Sequence, residues 1–107
     1  MDFKSIHIEA IQAARLATAD YIAKNGEHPF NCGFAWVRSS EKGNTKLGKA
    51  LKNLGFEKNW YNGYELWNPS GSFTQDMSAK YAGAEAYVNV FKKYIPDIKL
   101  YPSSRLD

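Results

Sequence analysis

Lys42, Lys46, Lys49 and Lys52 form a run in which side chains of one chemistry recur at a spacing that could serve a ligand. The first three keep steps of four and three, so on a helix and its lead-in they share one face. Ammonium groups in a row attract phosphate, and Arg38, at the end of a preceding strand, can join them. Between Arg38 and Lys58 there are six basic residues against two acidic ones, Glu41 and Glu57, so much of the basic excess sits in this stretch. The plain alternative is a solvated helix face.

A second set is the loop Asn68–Gln75 leading into a long helix. Unpaired N–H groups at a helix start, with the small polar side chains of Asn68, Ser70, Ser72, Thr74 and Gln75, make a natural cradle for an anion. Asp76 argues against it, because a carboxylate there competes with a bound anion. Ordinary turn and capping duty accounts for the same residues without a ligand.

The third set is aromatic: Trp36, Trp60, Tyr61, Tyr64 and Trp67. Flat rings beside cations can stack bases or grip a protein. Alternation groups Trp36 with Phe34 in the core, which leaves Trp60 and Tyr61, at a hairpin tip, as the rings to expect in a site. Catalytic patterns are poor by comparison. His7 and His28 lack metal-ligand spacing, the serines lack a G-x-S-x-G elbow, and Gly43-Asn44-Thr45-Lys46 is too short for a phosphate-binding P-loop. Glu65, Asp76 and Glu85 could act as acid–base pairs only if the fold joined them. No catalytic residue, metal ligand or cofactor is expected, and the balance leans away from an enzyme.

The elements that must position these groups follow from periodicity. Phe3–Lys24 carries Phe3, Ile6, Ala10, Ala13, Ala14, Ala17 and Tyr21 at helical spacing, ending at Asn25-Gly26. Its alanine-rich side lets another backbone approach closely, either a helix of this chain or a second copy. Phe30–Arg38 alternates a bulky face (Phe30, Cys32, Phe34, Trp36) with a small one (Asn31, Gly33, Ala35, Val37), as a strand does. The small face implies a helix or ligand close against it. A short helix around Leu47–Leu54 follows, capped by Asn44 or Thr45 and ended by Gly55. Tyr61-Asn62-Gly63-Tyr64 is a type I′ hairpin signal between strands Lys58–Tyr61 and Tyr64–Trp67. Asp76–Tyr94 is the clearest helix, with Met77, Tyr81, Ala84, Val88, Phe91 and Ile95 as its core stripe and Lys80 elsewhere on the wheel. Ile98–Tyr101 reads as a last short strand before a polar tail.

The order α-β-α-β(β)-α-β predicts a single α/β domain, with α+β as the alternative: a three- to four-stranded sheet and three helices. At 107 residues, one domain is expected. With 44% hydrophobic and 23% charged residues the chain is far from the composition of disorder. No apolar run approaches a membrane span and the N-terminus lacks a signal-peptide layout, so a cytoplasmic protein is expected. Cys32, the single cysteine, has no internal disulfide partner and reads as a small buried residue. A net charge of +3 permits an anionic partner without requiring one.

Gly33-Phe34-Ala35-Trp36-Val37, the Lys46–Phe56 stretch KLGKALKNLGF, Leu66–Gly71 (LWNPSG), Ala82–Ala86 (AGAEA) and Ser104-Arg105-Leu106-Asp107 together resemble small uncharacterised proteins encoded by tailed bacteriophages. The resemblance covers most of the chain and carries no activity or site residue. It implies a prior over roles: such proteins commonly bind something of the host, including defence enzymes and their nucleotide signals. The expectation is therefore a non-enzymatic binding protein in the host-cell cytoplasm, an oligomer that sequesters a nucleotide-like anion. Lys42, Lys46 and Lys49 would neutralise phosphate, Ser70–Gln75 would donate hydrogen bonds, and Trp60 or Tyr61 would stack a base. Inhibition of a host protein through the aromatic hairpin, and nucleic-acid binding through the lysine helix, are the competing expectations.

Overall fold

The computed structural model describes residues 2–28, 30–59 and 63–106. Helix α1, Phe3–Asn25, starts where the Asp2 carboxylate accepts the Lys4 and Ser5 N–H groups, and stops at Gly26, whose φ of 71° a side chain would resist. Strand β1 is Gly33–Ser39. Helix α2, Lys46–Asn53, is capped by the Thr45 hydroxyl, which accepts the Gly48 N–H at 3.0 Å. Strands β2, Glu57–Lys58, and β3, Tyr64–Trp67, form a hairpin. Helix α3, Met77–Tyr94, follows, and β4, Tyr101–Leu106, ends the described chain.

The expected element order is what the chain adopts, and the sheet has four strands in the order β2-β3-β1-β4. All three neighbouring pairs are antiparallel. Each helix-linked pair, β1 with β2 and β3 with β4, runs parallel with another strand inserted between the two, a split β-α-β arrangement. All three helices contribute to one core on one side of the sheet. Among the described residues, that leaves the other side without a helix.

The close approach expected of α1 is to α3. Thr18 Oγ1 donates to the Ala79 carbonyl at 2.7 Å, and a Cβ added at Gly83 would press on Thr18 Oγ1 and the Ala14 carbonyl. The alanines are therefore covered from within the chain. The small side of β1, Gly33, Ala35, Val37 and Ser39, is buried on the side where Met77 of α3 approaches Gly33.

Several expectations are corrected. Phe34 and Trp36 do not enter the core: α3 lies too near β1 for bulk, so the small face turns inward and the rings turn out, half-buried. The expected Tyr61-Asn62-Gly63-Tyr64 turn includes Tyr61 and Asn62, which lie outside the described residues; next to it, Asn59 N–H donates to the Gly63 carbonyl at 2.9 Å. Gly63 is small because a Cβ there would collide with the Ser39 carbonyl. Lys80 is buried, 7% exposed, although the helical wheel puts it off the core stripe. The final strand is Tyr101–Leu106, not Ile98–Tyr101; Ile98 and Leu100 are core residues, and the polar tail pairs along β1 from Gly33 to Arg38. Pro102 is tolerated because β4 is an edge, and its polar residues lack apolar alternation because the strand is largely solvated. Cys32 is half-buried rather than buried.

Candidate ligand-binding face of the sheet

Strand register decides which side chains meet on the uncovered side. From β1 come Phe34, Trp36 and Arg38. Trp67 and Glu65 of β3 stand opposite Trp36 and Arg38, and β4 places Arg105, Ser103 and Tyr101 opposite Phe34, Trp36 and Arg38. Phe34 and Trp36, two residues apart on one face, have ring centroids 6.0 Å apart. Trp67 remains 58% exposed and Tyr101 48%.

Cations surround these rings. The Arg38 guanidinium lies 4.5 Å from the Trp36 centroid, and that of Arg105 lies 5.9 Å from Trp36 and 6.0 Å from Phe34. Each is within the range where a ring quadrupole attracts positive charge. Arg38 is held by the Ser103 hydroxyl, which accepts from Nη1 at 3.2 Å, and by an ion pair of Nε with Glu65 at 3.5 Å. That second contact is an ion pair without hydrogen-bond alignment, so the buried Nε keeps an unused N–H. Arg105 is exposed.

A third cation arrives from the helix side. Beyond Trp67 the chain turns away at Asn68, which has a φ of 46°, after its N–H has bonded the Ala35 carbonyl at 2.9 Å. Carbonyls two residues apart point to the same side of a strand. The Gly33 carbonyl is thus left facing a gap, and Lys80 Nζ fills it at 2.9 Å. The ammonium then stands 5.6 Å from the Phe34 centroid. Flat rings with three cations and, toward one edge, the carboxylates of Glu65 and its register partner Glu57 suit a ligand that combines a planar unsaturated group with negative charge.

The residues singled out in the sequence are dispersed. Arg38 belongs to this face. Lys42, Lys46 and Lys49 are exposed, the first on a loop and the others on α2, whose Leu51 enters the core on the opposite side of the sheet. Lys46 borders an open cleft of about 480 Å³ with Leu47, Ile95 and Lys99, but Glu41 and Asp97 line it too and offset the positive charge. Trp60 and Tyr61 lie outside the described residues. The loop residues bond mainly to one another. Asn68 Nδ2 donates to the Ser72 carbonyl (3.0 Å), Ser70 Oγ to Asn68 Oδ1 (3.2 Å) and Thr74 Oγ1 to Glu27 (3.0 Å). Ser72 Oγ accepts the Thr74 N–H (3.2 Å), and the Gln75 carbonyl accepts the Gly33 N–H (3.2 Å).

The start of α3 has no donor to spare. Met77 N–H goes to the Asn31 carbonyl at 2.7 Å, Ser78 and Ala79 N–H go to Asp76 Oδ1, and Lys80 N–H goes to the Asp76 carbonyl. Asp76, 2% exposed, also accepts from His28 N–H and Asn31 Nδ2. Burial alone would raise its carboxyl, but these hydrogen bonds outweigh it and hold the group below the ordinary carboxylate value. The protein's own carboxylate occupies the place an anion would take.

Elsewhere, His7 Nδ1 is 2.7 Å from the Tyr87 hydroxyl; burial lowers the imidazole and raises the phenol. Among the described residues no three His, Cys, Asp or Glu side chains cluster as metal ligands would, and no helix is long and apolar enough to cross a membrane.

Sequence reasoning missed Phe34, Trp36, Lys80, Tyr101 and Arg105 as members of one surface, and counted Trp67 only among the rings. The signal was present in the small face of β1, which implied a helix or ligand close on that side; taken as a helix, it puts the rings on the other. Comparison of the chain with protein-family models, curated proteins and solved structures gives no match.

Proposed function

We propose that this protein is a non-enzymatic binding protein that captures a nucleotide-like anion on the open face of its sheet. One observation carries the reading: Phe34 and Trp36 lie uncovered by any helix, with Arg38, Arg105 and Lys80 at 4.5 to 6.0 Å from their centroids. A base stacks on a ring or on a guanidinium plane, and the two arginines, Arg38 and Arg105, neutralise the attached phosphate. The resemblance to phage-encoded proteins adds a role, withdrawal of a nucleotide signal or nucleic acid from host enzymes in the host-cell cytoplasm.

Mass spectrometry of small molecules released by heating the purified protein, with calorimetry against cyclic di- and trinucleotides, ADP-ribose and short oligonucleotides, tests this reading. Binding of a base-bearing anion that Trp67→Ala or Arg105→Ala weakens supports it. A folded sample that binds none of them sinks it.

A second reading, docking on a host protein, draws support from Phe30 and Phe73. Both are fully exposed, on loops that the Gly33 N–H to Gln75 carbonyl bond brings together. A stoichiometric partner captured from host lysate by the unaltered chain, and lost on Phe73→Ala with nucleotide binding absent, would favour it.

A further inference from the structure

Resting on that reading, we infer that the occupant of the open sheet face is single-stranded nucleic acid, laid over at least two rings at once, and not an isolated nucleotide. The first argument is shape. A free nucleotide is held in a cleft that buries most of its surface, whereas this face is a sheet surface with rings projecting from it. Its rings are spread over three strands: Trp67 on β3, Phe34 and Trp36 on β1, Tyr101 on β4.

The second argument is span. Trp67 stands opposite Trp36, and Tyr101 stands opposite Arg38 two residues further along β1. Two interstrand steps and two residues of rise put Trp67 and Tyr101 on the order of 12 Å apart. The rise between stacked bases is ~3.4 Å. One base therefore cannot use both exposed rings, while a short run of linked bases can.

The third argument is charge. Arg38 and Arg105 lie beside the rings of β1, while the carboxylates on this face, Glu65 and its register partner Glu57, sit on the β3 and β2 side. Phosphates linking stacked bases would thus run on the β1–β4 side and avoid the β2 edge. A duplex has its base faces stacked internally and cannot offer them to rings.

Fluorescence titration of the full chain with the octamer dT8, with dTMP and with an eight-base-pair duplex tests this, at 50 and 200 mM salt. The octamer is expected to bind at least tenfold more tightly than dTMP and than the duplex. Trp67→Ala should weaken the octamer about fivefold or more, as loss of one stacked base does. Arg105→Ala should flatten the dependence of log K on log salt by about 0.7, as loss of one phosphate contact does. Both residues are exposed; if Trp67→Ala does not fold, Arg105→Ala carries the test. Equal affinity for dTMP and dT8 overturns the inference and leaves nucleotide capture standing. Equal affinity for the duplex overturns it as well. Binding of no nucleotide of any kind overturns both readings.

Discussion

Lys80 Nζ donates a 2.9 Å hydrogen bond to the Gly33 carbonyl at the point where β3 has already left β1. A helix side chain thereby takes the place of the N–H that a longer β3 would supply, and one buried contact ties α3, β1 and the ring of Phe34 together. Lys80→Met keeps the stem and removes the donor. It should lower unfolding free energy by about 1–3 kcal/mol, the cost of an unpaired buried carbonyl, measured by urea denaturation. Unchanged stability would mean that water satisfies Gly33 equally well.

Asp76 makes stability depend on acid. Its carboxyl sits below the ordinary value in the folded chain, so the unfolded chain binds its proton more readily as pH falls. The stability it contributes is complete above the unfolded value near 3.8 and is lost as pH drops through the lowered folded value. Asp76→Asn should remove this part of the acid limb in denaturation curves between about pH 5 and pH 2. Asp76→Ala, which also deletes the cap, should cost about 1–2 kcal/mol at neutral pH.

Gly83 sets the separation of α1 and α3. Gly83→Ala gains about 1 kcal/mol of helix propensity, but its Cβ would stand 2.6 Å from Thr18 Oγ1 and 3.1 Å from the Ala14 carbonyl. Overpacking costs typically about 1–3 kcal/mol, so a net loss of up to about 2 kcal/mol is expected in thermal or chemical unfolding. Adding Thr18→Ala should recover part of the loss; a stabilising Gly83→Ala would show that the helices can separate freely.

Arg38 should separate folding from binding. Its ion pair with Glu65 is partly solvated, with a quarter of each side chain exposed, and such pairs contribute about 1 kcal/mol or less. Arg38→Ala is expected to leave stability within about 1 kcal/mol and to weaken the bound nucleotide tenfold or more. Glu65→Gln removes the competing carboxylate and should tighten binding. Parallel changes in both variants would break the link between this pair and the ligand.

Periodicity and punctuation determined most of the architecture. Apolar residues at helical spacing between Asp2 and Gly26, and again after Asp76, specify α1 and α3 because the caps and the buried stripe lie within the same short segments. The spacing of Ala10, Ala13, Ala14 and Ala17 likewise marks a close approach of another backbone before any partner is known. Alternation in β1 was equally legible, including which of its faces was small.

What tertiary structure alone decided is which face looked inward. Bulk suggested that Phe34 and Trp36 belonged in the core, but α3 approaches β1 closely enough that only Gly33, Ala35, Val37 and Ser39 fit beneath it. A polar tail became β4 because strand pairing is made by backbone groups, which carry no mark in the side chains of an edge. The lysine run, regular in sequence, ended on an exposed loop and on α2, whose Leu51 packs into the core on the side of the sheet away from Arg38. Arg38, Arg105 and Lys80, separated by up to 67 positions, came together around two rings because register and a departing strand placed them there. Local spacing records neighbours within one element; a surface built from three strands and a helix is recorded only in how those elements pack.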